Sequence, residues 1–109
     1  MTDTTTTALQ QQIATSPLPV FVDIYSPQCG PCRSLLPVLE ELSADFQGSV
    51  DFVKLNAVAD GATVQACADL GIRGVPALLI FRNGTEKARR TGSASKTQLK
   101  AWIEESLKS

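Results

Sequence analysis

The sequence predicts an α/β fold: a three-layer sandwich in which a mixed central sheet carries helices on both faces. Three observations lead there. Short apolar, β-branched runs alternate with stretches whose apolar residues recur every three or four positions, the pattern of parallel strands joined by helical crossovers. Asn83-Gly84 separates the last two extended runs, a strong signal for an antiparallel hairpin. Apolar residues make up 43% of the 109-residue chain, enough for one core without disulfide or metal staples. Neither a repeat nor a linker divides the chain, so residues 1–109 are expected to form a single domain.

Residues 1–7 are polar and threonine-rich, and two readings stay open there: a frayed tail or a short edge strand. A short helix is expected over residues 8–14, where Leu9 and Ile13 share a face, and Ser16-Pro17-Leu18-Pro19 ends it. Val20–Tyr25 reads as a strand buried on both faces, interrupted by Asp23, an acid whose burial is costly and needs a reason. Residues 34–47 form the longest helical pattern, with Leu35, Leu39, Leu42 and Phe46 in phase, Pro37 threatening a kink or a broken turn, and Gly48 as the stop. A second strand is expected over Asp51–Asn56 and a third helix over residues 61–70, ending at Gly71. After Val75-Pro76 comes the clearest strand, residues 77–81, paired through the hairpin with residues 86–91. Ser95 and Gln98 are spaced as a capping box for the last helix, with Leu99, Trp102, Ile103 and Leu107 as its buried stripe.

Composition excludes several functions. A net charge of −1 argues against nucleic-acid binding driven by phosphate neutralisation. The basic cluster Lys87, Arg89 and Arg90 is better read as protection of an edge strand. There is no histidine, which removes Ser-His-Asp and Cys-His catalysis and every His-ligated metal site. Residues 1–16 have no basic start followed by an apolar run, and no apolar stretch approaches the ~18 residues of a membrane span. A cytoplasmic protein without membrane contact is therefore expected. In that compartment structural disulfides are rare, and a cysteine pair is catalytic or metal-binding.

The pair is Cys29-Gly30-Pro31-Cys32, at the junction of a buried strand and a helix. The first amides of a helix lack internal partners and carry the positive end of its dipole. A sulfur placed there has its thiolate favoured, which lowers the pKa of Cys29. Gly30 keeps that sulfur accessible, and Pro31 suits a first turn that needs no amide donor. Cys32 lies one turn inside, close enough to form a disulfide with Cys29 and release what Cys29 has captured. Zinc normally takes four Cys or His ligands and only Cys67 remains, so no metal site is expected. Cys67 itself reads as a small buried hydrophobe, three residues from Val64 on the third helix, with a regulatory thiol as the alternative.

The segment from Val22 to Cys32 resembles the active-site segment of the thioredoxin family, and Gly71-Ile72-Arg73-Gly74-Val75-Pro76 resembles that family's segment around its cis-proline. The hairpin at Asn83-Gly84 and the later Gly92 also fall where the family has them, so the similarity runs from about Leu18 to Leu107. The resemblance implies a thioredoxin-like sandwich and a protein-disulfide reductase working by dithiol–disulfide exchange. It makes Cys29 the attacking nucleophile and Cys32 the resolving thiol. Asp23 becomes the buried carboxylate that handles the Cys32 proton, and Lys54 the lysine beside it. Pro76 becomes the cis-proline facing the site, with the Val75 backbone hydrogen-bonding the substrate chain. Gln28, Gly30, Pro31, Gly74 and Gly92 complete the surface on which clients dock. A lowered pKa at the first cysteine is a known property of the family.

The resemblance further implies no bound cofactor beyond the redox-active Cys29–Cys32 disulfide. Its expected partners are protein disulfides and a flavin-dependent thioredoxin reductase that draws on NADPH, and the chain is expected to be a monomer. Three departures stand out. Gln28 and Tyr25 occupy positions where the family usually has tryptophan, which removes apolar docking area. The stretch between Asn56 and Gly71 is a few residues longer than is common, and the family's first strand is not evident in residues 1–7. The alternatives are a thioredoxin-fold binding module with a narrow client range and an oxidase or isomerase. Against the latter, Gly-Pro between the cysteines resembles the reductases.

Overall fold

A computed structural model describes residues 1–108. Five strands and four helices follow in the order β1 (Thr2–Asp3), α1 (Thr6–Thr15), β2 (Val20–Tyr25), α2 (Gly30–Asp45), β3 (Asp51–Asn56), α3 (Gly61–Asp69), β4 (Ala77–Arg82), β5 (Thr85–Thr91) and α4 (Lys96–Ser106). The strands form one mixed sheet in the spatial order β1-β3-β2-β4-β5. β1 and β2 each pair parallel with β3, while β2–β4 and β4–β5 are antiparallel. This is the α/β sandwich that the sequence predicts.

The alternation of side chains along each strand divides the core into two layers. Val20, Val22 and Ile24 of β2, with Val53, Leu55, Leu79 and Phe81, pack toward Leu9 of α1 and Cys67 of α3. On the other face Phe21, Phe52, Leu78 and Ile80 meet Leu35, Leu39 and Leu42 of α2 and Leu99 and Ile103 of α4. The Phe21 and Phe52 rings stack there at a centroid distance of 4.5 Å. Asp23 is two residues beyond Phe21 and Lys54 two beyond Phe52, so the pleat sends both toward the layer that holds α2.

Of the two readings of the amino terminus, the edge strand is the one found. Thr2 pairs with Val53 and Asp3 with Lys54, and Thr4 donates its amide to the Lys54 carbonyl at 2.9 Å. The first helix starts at Thr6 rather than residue 8, because Thr5 caps it by accepting from the Ala8 amide at 3.2 Å. The second helix starts at Gly30, four residues before the expected start at residue 34, with Cys29 as its N-cap, and it ends at Asp45, ahead of Gly48. It runs unbroken through exposed Pro37, so the expected broken turn does not occur.

At the hairpin, Asn83 (φ 54°) and Gly84 (φ 79°) both take the left-handed conformation that a two-residue turn demands. β5 is the edge strand opposite β1, and Lys87 and Arg89 stand exposed along it. The expected capping box on α4 forms in full, Ser95 accepting from the Gln98 amide and Gln98 accepting from the Ser95 amide. Leu99 and Ile103 are fully buried in its stripe, while Trp102 is half-buried, edge-on to Phe21 and covered by the Arg90 guanidinium at 5.5 Å.

Candidate active site

β2 ends at Tyr25, and four residues later the chain starts α2 with Cys29 as its cap. The Cys29 sulfur accepts a hydrogen bond from the Cys32 amide at 3.1 Å, and Arg33 donates its own amide to the Cys29 carbonyl at 3.1 Å. Pro31, in the first turn, has no amide to leave unpaired. A sulfur in this position faces the unpaired amides and positive dipole end of a sixteen-residue helix, so negative charge on it is stabilised. Cys29 and Cys32 are joined as a disulfide, with Cα atoms 5.2 Å apart. Cys32 is 4% exposed, whereas Cys29 is only half-buried, so of the two sulfurs Cys29 is the one a bulky partner reaches.

Across from the disulfide, the chain between α3 and β4 brings a second backbone segment to the site. The Val75–Pro76 peptide bond is cis, and the Val75 carbonyl oxygen lies 3.8 Å from the Cys29 sulfur. Pro76 is buried, and its carbonyl accepts from the amide of Gly92, which has φ +83°. Gly74 is exposed, and a Cβ built on Gly30, Gly74 or Gly92 would meet nothing within 4 Å. These glycines therefore open toward solvent, with Gln28 and Pro31 exposed on the same rim as Cys29.

Beneath Cys32 is a cavity of about 220 Å³ lined by Asp23, Tyr25, Pro27, Cys32, Arg33 and Lys54 among others. Asp23 is 2% exposed, and its Oδ1 is buried without a hydrogen-bond partner. Burial pushes its carboxyl up to about 6, against a smaller downward pull from the Lys54 ammonium, its register partner on β3. The acid that interrupts an apolar strand thus shares a cavity with the inner cysteine and is poised to exchange a proton near neutral pH.

The residues expected to form the site fall into two groups: Cys32, Asp23 and Lys54 around the cavity, and Cys29 with Gln28, Gly30, Pro31, Gly74, Val75, Pro76 and Gly92 on the outer side. Two neighbours were not singled out as site residues. Tyr25 lines the cavity, and its hydroxyl donates to Asp3 at 2.9 Å. Its place in the cavity wall was readable from the pleat, since residues 21, 23 and 25 share a face. Arg33, also in the wall, donates to the Pro27 carbonyl at 2.9 Å and fastens the loop before the cysteines.

Cys67 lies outside both groups. It is buried at 6% exposure, as the simpler reading had it, and burial pushes its thiol pKa up. Its buried neighbour on α3 is Thr63, while Val64 is 50% exposed, so the pairing with Val64 is corrected. No group of three or more His, Cys, Asp or Glu side chains that could hold a metal occurs among the described residues, and no helix among them is long and apolar enough to cross a membrane.

Comparison with known proteins agrees with this geometry. The family model described as Thioredoxin matches residues 1–105. Among curated proteins, the chain is 38% identical to the thioredoxin of Haemophilus influenzae, over 87% of this chain and 86% of that one. It is 34% identical to the thioredoxin of Rickettsia conorii over 92% of both chains. It is also 34% identical to the thioredoxin of Pseudomonas aeruginosa, over 94% of this chain and 93% of that one.

Proposed function

The chain belongs to the thioredoxin family and is a protein-disulfide oxidoreductase, and from that premise we propose how its own residues divide the work. In the dithiol form, the Cys29 thiolate attacks one sulfur of a client disulfide, a new S–S bond forms, and the client's other sulfur leaves as a thiolate that takes up a proton. Cys32 then gives its proton to Asp23 and attacks the Cys29 sulfur. The mixed disulfide breaks, Cys29–Cys32 forms, and the client leaves with both sulfurs reduced. The two electrons lost by the cysteine pair are those gained by the client disulfide.

The observation that carries this reading is the asymmetry of the pair. Cys29 is the accessible cap of α2, and Cys32 is buried over the cavity that Asp23 lines. A proton acceptor with a carboxyl near 6 is ionised often enough at neutral pH to accept, and basic enough to do so usefully. Lys54 favours the ionised form of that acceptor by its charge.

The client chain is read as lying extended across Gly74, Val75 and Gly92. There the Val75 backbone offers strand-like hydrogen bonds that do not depend on client sequence. Gln28, Gly30 and Pro31 form the other wall. Electrons would come from a flavin-dependent thioredoxin reductase using NADPH, and no cofactor would be needed on this chain. The working form is read as a cytoplasmic monomer, because one copy supplies every residue named. Reduction of insulin by the wild-type protein and by Cys29→Ser, each recycled by a thioredoxin reductase and NADPH, tests the assignment. Turnover is expected only with Cys29 present, and comparable turnover by the variant would remove its basis.

A further inference from the structure

Lys54 stands between two carboxylates. In the sheet register it is the partner of Asp23 on one side and of Asp3 on the other, so a row of acid, base and acid crosses β2, β3 and β1. Adjacent strands lie about 4.8 Å apart, and side chains of register partners project to the same face. A flexible ammonium in that row can serve either acid. Asp3 is the more attractive one on solvation grounds, because it is exposed and keeps its hydration while Asp23 is buried.

Tyr25 engages both Asp3 and Lys54. Its hydroxyl donates to Asp3 Oδ1 at 2.9 Å, taking up one oxygen of that carboxylate. Its ring centroid lies 5.8 Å from Lys54 Nζ, within the range over which an aromatic face attracts a cation. We propose that Tyr25 is a positioning residue that holds the Lys54 ammonium over its ring, on the Asp23 side of the row, and keeps it from Asp3. The inference rests on Asp23 being the proton acceptor for Cys32, and adds to it what fixes the charge beside that acceptor.

The consequence is a shift in the ionisation of Asp23. The other polar residues lining the same cavity are Tyr25 itself, Ser26, Cys32 and Arg33. Leu78, the register partner of Asp23 on β4, brings no charge. Loss of the Tyr25 ring releases Lys54 toward Asp3, removes its downward pull, and leaves burial to raise the Asp23 carboxyl further.

The test follows the Asp23 carboxyl directly, by its ¹³C resonance against pH in the oxidised protein, where Cys29 and Cys32 do not titrate. Tyr25→Leu is expected to move the midpoint up by about half a pH unit or more. Tyr25→Phe keeps the ring but loses its bond to Asp3, and is expected to fall between Tyr25→Leu and the wild type. In a Lys54→Met background, neither substitution should move the midpoint beyond where Lys54→Met alone puts it. A Tyr25→Phe midpoint at or below the wild-type value would overturn the proposal even if Tyr25→Leu does not fold. So would a shift of equal size with and without Lys54, since that belongs to altered burial. Because the carboxyl is observed without turnover, these results stand apart from whether Asp23 serves Cys32, which activity of an Asp23 variant decides.

Discussion

The amide of Cys32 donates to the sulfur of Cys29 across 3.1 Å, so the inner cysteine helps to hold the outer one at the mouth of helix α2. The contact joins the backbone of one partner to the side chain of the other, and it follows from the helix starting at Gly30. It directs the unpaired end of the helix at the sulfur that faces Val75, while the Cys32 side chain turns inward to the cavity. Local helix geometry thereby gives two chemically identical residues different surroundings.

Asp23→Asn is expected to stabilise the fold at neutral pH and to slow turnover. The carboxyl is raised from 3.8 to about 6 in the folded protein, so the folded state binds its proton more tightly than the unfolded state does. The cost of burying the charge is absent below the unfolded value, grows between about pH 4 and 6, and is complete above that window. The gain from the neutral amide should therefore reach up to about 3 kcal/mol near pH 8 and vanish near pH 3.5. Urea midpoints for both proteins at the two pH values check this, and a gain independent of pH would contradict it. The loss of turnover should lie in release of the client, which needs the proton of Cys32 removed.

Gln28→Trp is expected to widen the range of protein clients while leaving the exchange chemistry alone. Gln28 is exposed on the rim beside Cys29 and carries an amide that must lose water on docking. An indole offers more apolar contact area than any other side chain. Reduction of insulin should quicken, reduction of a small-molecule disulfide should not change, and turnover by a thioredoxin reductase should improve. Equal rates in all three assays would place position 28 outside the docking surface.

Cys67 is expected to resist alkylation in the folded, oxidised protein. It is packed between α3 and the sheet, and burial disfavours its thiolate. A water-soluble maleimide should label it at least about a hundredfold more slowly than in denaturant, because labelling waits for local opening. Labelling at the rate of a free thiol would revive a regulatory role. Cys67→Ser should cost about 1–3 kcal/mol, since it puts a hydroxyl into an apolar layer.

Much of this architecture is legible in the sequence, and what is missed has physical causes. β2 falls where its apolar run places it, because a strand buried on both faces is near-continuously apolar and this one lies between Pro19 and Pro27, while β3 falls around Phe52, Val53 and Leu55, the apolar residues that mark it. The apolar period alone hides the start of α2, because Gly30, Pro31 and Cys32 open the helix without the aliphatic residues that carry that period, and only Pro31 and the spacing of the cysteines mark it. The start of α1 is hidden for a different reason: residues 4–7 are all threonine, any of which could cap, and only the structure picks Thr5. The face of Cys67 is misassigned because a three-residue step to Val64 and a four-residue step to Thr63 are equally helical, and a threonine was not expected to be the buried one. The link from Tyr25 to Asp3 depends on the register of a two-residue strand, which no local pattern encodes. The groups around the disulfide were legible as a family resemblance, and the burial of Asp23 was signalled by its place in an apolar strand.

The division of labour between the cysteines is tested most directly by trapping. Cys32→Ser and Cys29→Ser, each reduced and mixed with a disulfide-bonded client, would be analysed by mass spectrometry for a covalent adduct and its linkage. Cys32→Ser should accumulate a stable mixed disulfide through Cys29, because nothing remains to resolve it. Cys29→Ser should accumulate almost none, because the sulfur left at position 32 is 4% exposed and away from the helix cap. Adducts of similar yield from both variants, or an adduct formed mainly through Cys32, would contradict the account.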